Sequence, residues 1–225
     1  MPAPDEMIFL FDVDNTLLDN DRVEADINAH IERECGSKRR ERFWEIFEEL
    51  RSEVGYADYL GTLQRFRVEA IHDPQVLTMS SFLLDYPFVR RVYPRARDAL
   101  AHVRQWGRTV LLSDGDAVFQ PRKIRRAGLW DAVEGRVLIY VHKERMLNDV
   151  TRLYPAARYV MVDDKLGILA AMKQAWGDRL TTVFPRQGHY AHDERLSSQF
   201  PAADLSVEHV ADLVDCNYED FAGSA

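Results

Sequence analysis

Met7-Ile8-Phe9-Leu10-Phe11-Asp12-Val13-Asp14-Asn15-Thr16-Leu17-Leu18 is the stretch on which the fold turns. Residues 7–11 form a short unbroken apolar run, the pattern of a buried strand, and Asp12 ends it. Four later segments share that character: Thr109–Leu112, Val137–Val141, Tyr159–Val162 and Thr181–Phe184. Each is short, rich in β-branched or aromatic residues, and bounded by polar ones. Between them the apolar period becomes helical. Ala96–Trp106 places Ala99, Leu100, Val103 and Trp106 on one face before Gly107, Phe119–Ala127 stops at Gly128, and Leu166–Trp176 stops at Gly177. This alternation predicts an α/β fold with a mostly parallel sheet, helices on both faces, and ligands at the carboxyl ends of the strands.

One stretch departs from the alternation. From Asp21 to Tyr86 there is no strand pattern, only helical ones at Val23–Glu34, Arg39–Val54 and Tyr56–Ala70. Phe43, Trp44, Phe47, Tyr56, Tyr59 and Phe66 recur at helical spacing, as core residues of a small bundle would. The basic cluster Lys38-Arg39-Arg40 reads as a solvated helix start. The expected organisation is therefore a core of residues 1–16 and 93–225, with a helical insertion at 17–92.

The 225 residues carry a formal charge of −8, which argues against a nucleic-acid partner. Cys35 and Cys216 are far apart in sequence and fit two free thiols of a reducing compartment. The first residues have no secretory pattern, and no run approaches the ~18 apolar residues of a membrane span. A cytoplasmic protein is expected.

Asp12 and Asp14 can converge on one cation and one substrate at a strand end. A carboxylate attacking a phosphate dianion meets repulsion, which a magnesium ion relieves; a second carboxylate can protonate the leaving alcohol and later activate water. Two nearby aspartates alone often form only a turn or cap. The strand before them and Thr16-Leu17-Leu18 after them argue otherwise.

Residues 9–17 resemble the opening motif of the haloacid dehalogenase-like (HAD) hydrolases. Val110-Leu111-Leu112-Ser113-Asp114-Gly115, Val141-His142-Lys143 and Met161-Val162-Asp163-Asp164 resemble the family's second, third and fourth motifs, in order. The resemblance implies a Rossmann-like three-layer core with a helical cap inserted after the first motif. It implies a phosphatase with Asp12 as nucleophile and Asp14 as general acid and base. Lys143 would offset the charge of Asp12 and of the phosphoryl group. Thr16 would hold the loop at the substrate, while Ser113 and the backbone N–H groups of Asp114 and Gly115 would cradle phosphate. A Mg2+ cofactor would be held by Asp12, the backbone carbonyl of Asp14, Asp163 and Asp164. Many relatives carry a further acid four positions after the first aspartate of the fourth motif; here that position is Gly167, and Asp164 takes its place.

Lys123 and Lys165 compete with Lys143 for the cationic role, and Lys123 reads as a solvated residue of a helix. His189 and His192 read as polar loop residues rather than metal ligands. Arg186 is placed near the site edge, and Arg90, Arg91 and Arg95 on the return from the insertion. Dehalogenases of the family carry another residue at the position of Asp14, which favours phosphoryl transfer. A phosphomutase and a non-catalytic binding protein are the other readings. The expected substrate is a small phosphate ester.

Overall fold

The computed structural model describes residues 5–222 apart from Ala70, Asp73, Glu194, Leu196 and Ser197. Its sheet is parallel throughout, in the order β3-β2-β1-β4-β5-β6, with β1 (Asp5–Phe11) in the interior. The other strands are β2 (Arg108–Asp114), β3 (Val137–Tyr140), β4 (Ala156–Val162), β5 (Leu180–Pro185) and β6 (Leu205–Val207). The α/β expectation is met. The sixth strand was not legible, because its three residues are too few to carry a period.

Side chains of a strand alternate between faces, and here both faces are covered. Met7, Phe9 and Phe11 join one apolar cluster with Leu111, Val160 and Val162; Ile8 and Leu10 join a second with Val110, Leu112, Tyr159 and Met161. The first cluster is closed by α5 (Ala96–Val103) and by the C-terminal α11 (Tyr218–Ala222), whose Phe221 meets Phe9 edge to face at 5.2 Å. The second is closed by α8 (Leu147–Leu153) and α9 (Leu166–Trp176). Full burial of each such side chain contributes roughly 1.5–3 kcal/mol.

Among the described residues, four α-helices lie between β1 and α5: α1 (Asn20–Cys35), α2 (Ser37–Val54), α3 (Tyr59–Glu69) and α4 (Gln75–Asp85). Each buries a stripe spaced by three or four residues. The stripes are Val23, Ile27 and Ile31; Phe43, Phe47 and Leu50; Tyr59, Leu63 and Phe66; and Val76, Met79 and Leu83. The third helix starts at Tyr59 rather than Tyr56, because Asp58 Oδ1 accepts the N–H of Gly61 at 2.7 Å and caps the first turn. Ala70, the expected end of that helix, lies outside the described residues. The fourth helix was not expected as a separate element. After β2 come α6 (Phe119–Arg126) and α7 (Leu129–Ala132), and after β5 comes α10 (Gly188–His192). No helix among the described residues is long and apolar enough to cross a membrane.

Candidate active site

Strand register gathers the acidic residues. Phe11 pairs with Leu111 of β2 and with Val162 of β4, which puts Asp12 level with Leu112 and Asp163, and Ser113 one residue beyond. The backbone then locks: the N–H of Asp12 donates to Val162 O at 2.9 Å, and that of Asp163 to Val183 O at 3.1 Å. Asp12, Ser113 and Asp163 thus meet at the carboxyl end of the sheet, where open α/β sheets bind ligands.

Asp12, Asp163 and Asp164 are all buried, with one carboxylate oxygen from each within 4.8 Å of the others. Between two of them lies Lys143, also buried. Its ammonium contacts an oxygen of Asp12, lies 2.7 Å from Asp163 Oδ2, and donates to Leu112 O at 3.3 Å. The turn that delivers this lysine is fixed by Asp114, whose Oδ1 accepts the Lys143 N–H at 2.7 Å. Burial pushes the Asp12 carboxyl up to about 6 against the pull of Lys143, and neighbouring Asp163 adds to the rise. Burial opposes the Lys143 charge, but Asp12 and Asp163 outweigh it and hold the ammonium above the usual lysine range. Asp164 is pushed well up by burial and by its neighbours Asp163 and Asp12.

Both oxygens of Asp164 are buried without a hydrogen-bond partner among the described residues. A buried carboxylate left so is costly unless a cation or proton joins it. Three clustered carboxylates, one of them with both oxygens orphaned, are the donor set of a hard divalent cation. The residues fit a magnesium ion.

Thr16 is buried, and its hydroxyl accepts the N–H of Asp164 at 3.1 Å, tying the first loop to the fourth. Asn15 takes a left-handed conformation at φ 61°, and its Oδ1 accepts the N–H groups of Asn20 and Asp21 at 2.9 and 3.1 Å. An asparagine tolerates that backbone better than most residues, and here it fastens the start of α1 to the loop. Ser113 Oγ accepts from Gln120 Nε2 at 2.9 Å. One expectation is corrected: the Gly115 N–H already donates to Tyr140 O at 3.0 Å, extending the β2–β3 ladder, and so is engaged rather than open to phosphate. What Gly115 provides is room, since a Cβ there would come within 2.9 Å of Gln120.

A second correction concerns Lys123. It is not solvated but 2% exposed, with Nζ 2.7 and 2.8 Å from the two oxygens of Asp14. Gln120 Nε2 donates to Asp14 Oδ2 at 3.1 Å. Neither Gln120 nor Lys123 was assigned to the site from sequence. The available signal was position, because Phe119 and Lys123 lie one turn apart on the buried stripe of α6, and buried Ala127 follows one turn later at its C-cap.

Lys165 Nζ stands 4.8 Å from the Tyr190 ring centroid and also feels the acidic cluster: burial opposes its charge, but Asp164, Asp12 and Asp163 outweigh that and hold the ammonium above the usual lysine range. The other candidates are engaged elsewhere. His189, in the short α10 rather than a loop, pairs with Asp21 at 2.6 Å, and among the described residues no metal cluster includes it or His192. Arg186 lies 3.7 Å from Glu208, Arg95 lies 3.8 Å from Asp98, and Arg91 donates to Asp26 and to Tyr86.

A family model described as haloacid dehalogenase-like hydrolase matches residues 7–175. A crystal structure from Burkholderia xenovorans LB400, described as a haloacid dehalogenase-like hydrolase, is 64% identical, with a TM-score of 0.90 over 95% of this chain and 100% of that one. The L-2-haloacid dehalogenase of Xanthobacter autotrophicus is 18% identical, with a TM-score of 0.61 over 92% of this chain and 96% of that one. A HAD-hydrolase of Bacillus subtilis, YfnB, crystallised with magnesium, is 14% identical, with a TM-score of 0.61 over 94% and 98%. No curated protein matches at a significant level. At these lower identities the likeness is one of fold, whereas the family model and the Burkholderia relative reach further. The chain belongs to the haloacid dehalogenase-like hydrolases.

Proposed function

We propose that the protein is a magnesium-dependent phosphohydrolase of the cytoplasm that cleaves a small phosphate monoester through an aspartyl-phosphate on Asp12. The observation that carries this reading is the pairing of two differently held carboxylates at one strand end. Asp12 sits in the buried acidic cluster with Lys143, while Asp14 is held by Lys123 and Gln120. Helices α1–α4 would form a cap, residues 17–92, that selects the leaving group, while the core of 1–16 and 93–225 carries the reaction.

In the first step an oxygen of Asp12 attacks phosphorus, and the bond to the leaving oxygen breaks. That oxygen takes the electron pair and a proton from the Asp14 carboxyl. In the second step Asp14 takes a proton from water, whose oxygen attacks phosphorus and frees the Asp12 carboxylate and inorganic phosphate. Magnesium, held by Asp12, Asp163, Asp164 and the carbonyl of Asp14, would neutralise charge on the phosphate oxygens. Lys143 would add a fixed positive charge beside Asp12, and Ser113 a hydroxyl toward the phosphate. Halide departure needs no proton, so a dehalogenase would leave Asp14 and its two holders without work.

Phosphate release from a panel of phosphate monoesters, with magnesium and with chelator, tests the reading. Asp14→Asn should slow hydrolysis of alkyl esters by ~10²–10⁴-fold. Absence of turnover across the panel by the unmodified protein would overturn it. Full activity in Asp14→Asn would remove the role of Asp14.

A further inference from the structure

The ammonium of Lys123 is placed where helix periodicity calls for a hydrophobe. Phe119 and Ala127, one turn to either side, are buried in the apolar cluster that also holds Ile124. Removing an ammonium from water costs several kcal/mol even after relaxation, so such a lysine requires compensating partners. It donates to both oxygens of Asp14 and, at 3.1 Å, to Asn20 Oδ1, and it stands 5.8 Å from the Phe119 ring centroid. Gln120, one turn earlier, spans from Asp14 to Ser113. Asn20 is the first residue of α1, and its Nδ2 donates to Glu24 Oε1 at 3.1 Å. The same carboxylate oxygen accepts the hydroxyl of buried Tyr59 at 2.9 Å. A polar chain therefore runs from α3 through Tyr59, Glu24, Asn20 and Lys123 to Asp14.

We propose that Lys123 is a positioning residue for Asp14, holding the carboxyl group in the orientation from which it protonates the leaving oxygen, with Asn20 tying that grip to the helical insertion. The inference rests on the reading of Asp14 as general acid. During bond cleavage the proton leaves one oxygen of Asp14 and ends on the departing alkoxide, whose electron pair comes from the broken P–O bond. In the acid form the protonated oxygen gives up its contact with the ammonium, while Lys123 keeps the other oxygen and its own charge, and transfers nothing. Two contacts from one ammonium restrict rotation of a short side chain, and a misplacement of about 1 Å in a reacting group can cost 10²-fold.

A positioned acid matters in proportion to how badly the leaving group needs a proton. Nitrophenolate leaves readily as an anion, whereas an alkoxide does not. The experiment compares kcat/KM for p-nitrophenyl phosphate and for an alkyl monoester drawn from the panel above, in magnesium. It uses the unmodified protein, Lys123→Met, Asn20→Ala, and Asp14→Asn as the reference for loss of the acid. Because kcat/KM covers steps only through formation of the aspartyl-phosphate, the shared second step does not enter. Lys123→Met should lower kcat/KM for the alkyl ester by ~10²-fold and for the nitrophenyl ester by at least tenfold less. Asn20→Ala should shift the ratio in the same direction by a smaller factor. The ratio does not depend on how much of a preparation is folded. If Lys123→Met yields no folded protein, Asn20→Ala decides. Equal loss on both esters, or a change confined to KM, would overturn the assignment while leaving the hydrolase reading intact. An unmodified protein inactive on both esters would remove that reading, and this one with it.

Discussion

Asp12→Asn loses turnover by a factor on the order of 10⁴ or more, the scale seen when a nucleophile is removed. Asparagine keeps the size of the side chain and one acceptor oxygen, but an amide cannot form the acyl-phosphate. The substitution also removes a buried charge that the fold already disfavours, since burial pushes the Asp12 carboxyl up to about 6. Lys143 retains its contact with Asp163 at 2.7 Å, so the site stays neutralised and the variant stays folded. Rates of phosphate release, read beside circular dichroism, separate loss of chemistry from loss of structure. A folded Asp12→Asn variant within tenfold of the original rate would contradict the assignment.

The second large effect falls on stability. Lys143→Met leaves Asp12, Asp163 and Asp164 crowded and buried without the ammonium that contacts Asp12 and Asp163, although the charge of Lys165 still acts on Asp12 and Asp164. Breaking a buried ion pair by removing one partner costs about 3–5 kcal/mol, because the other charge remains where water cannot reach it. Urea unfolding in chelator should register that loss. Added magnesium should restore more stability to the variant than to the parent, because a cation that binds only the native state stabilises by mass action. A loss under about 1 kcal/mol would mean that the ammonium does not neutralise the cluster.

Much of this molecule was legible in its sequence, for reasons that particular residues make plain. Residues 7–11 must be buried on both faces, so they form an apolar run with no alternation, and Asp12 stands out at its end. The parallel sheet followed from the return of that pattern between helical stretches. β6 did not follow, because Leu205–Val207 takes its place from Val183–Pro185 beside it rather than from any pattern of its own.

At the site, a family resemblance led to Lys143 and Asp163, and spacing alone would not have joined residues so far apart in the chain. Gln120 and Lys123 were missed for a different reason. A lysine in a helix is ordinarily solvated, and only the tertiary placement of Phe119 and Ala127 makes the face of Lys123 a buried one. Gly115 misled in the opposite direction, because a backbone N–H has no sequence signature for whether a neighbouring strand already occupies it. The corrections thus concern residues whose roles depend on neighbours from other elements.

Borohydride traps the covalent step on Asp12. The protein is quenched with borohydride while turning over a phosphate monoester in magnesium, then digested and read by peptide mass spectrometry. An aspartyl-phosphate is reduced to homoserine, so homoserine is expected at position 12, and only when substrate is present. Rapid turnover with Asp12 unreduced, or reduction at another carboxylate such as Asp14, would contradict it.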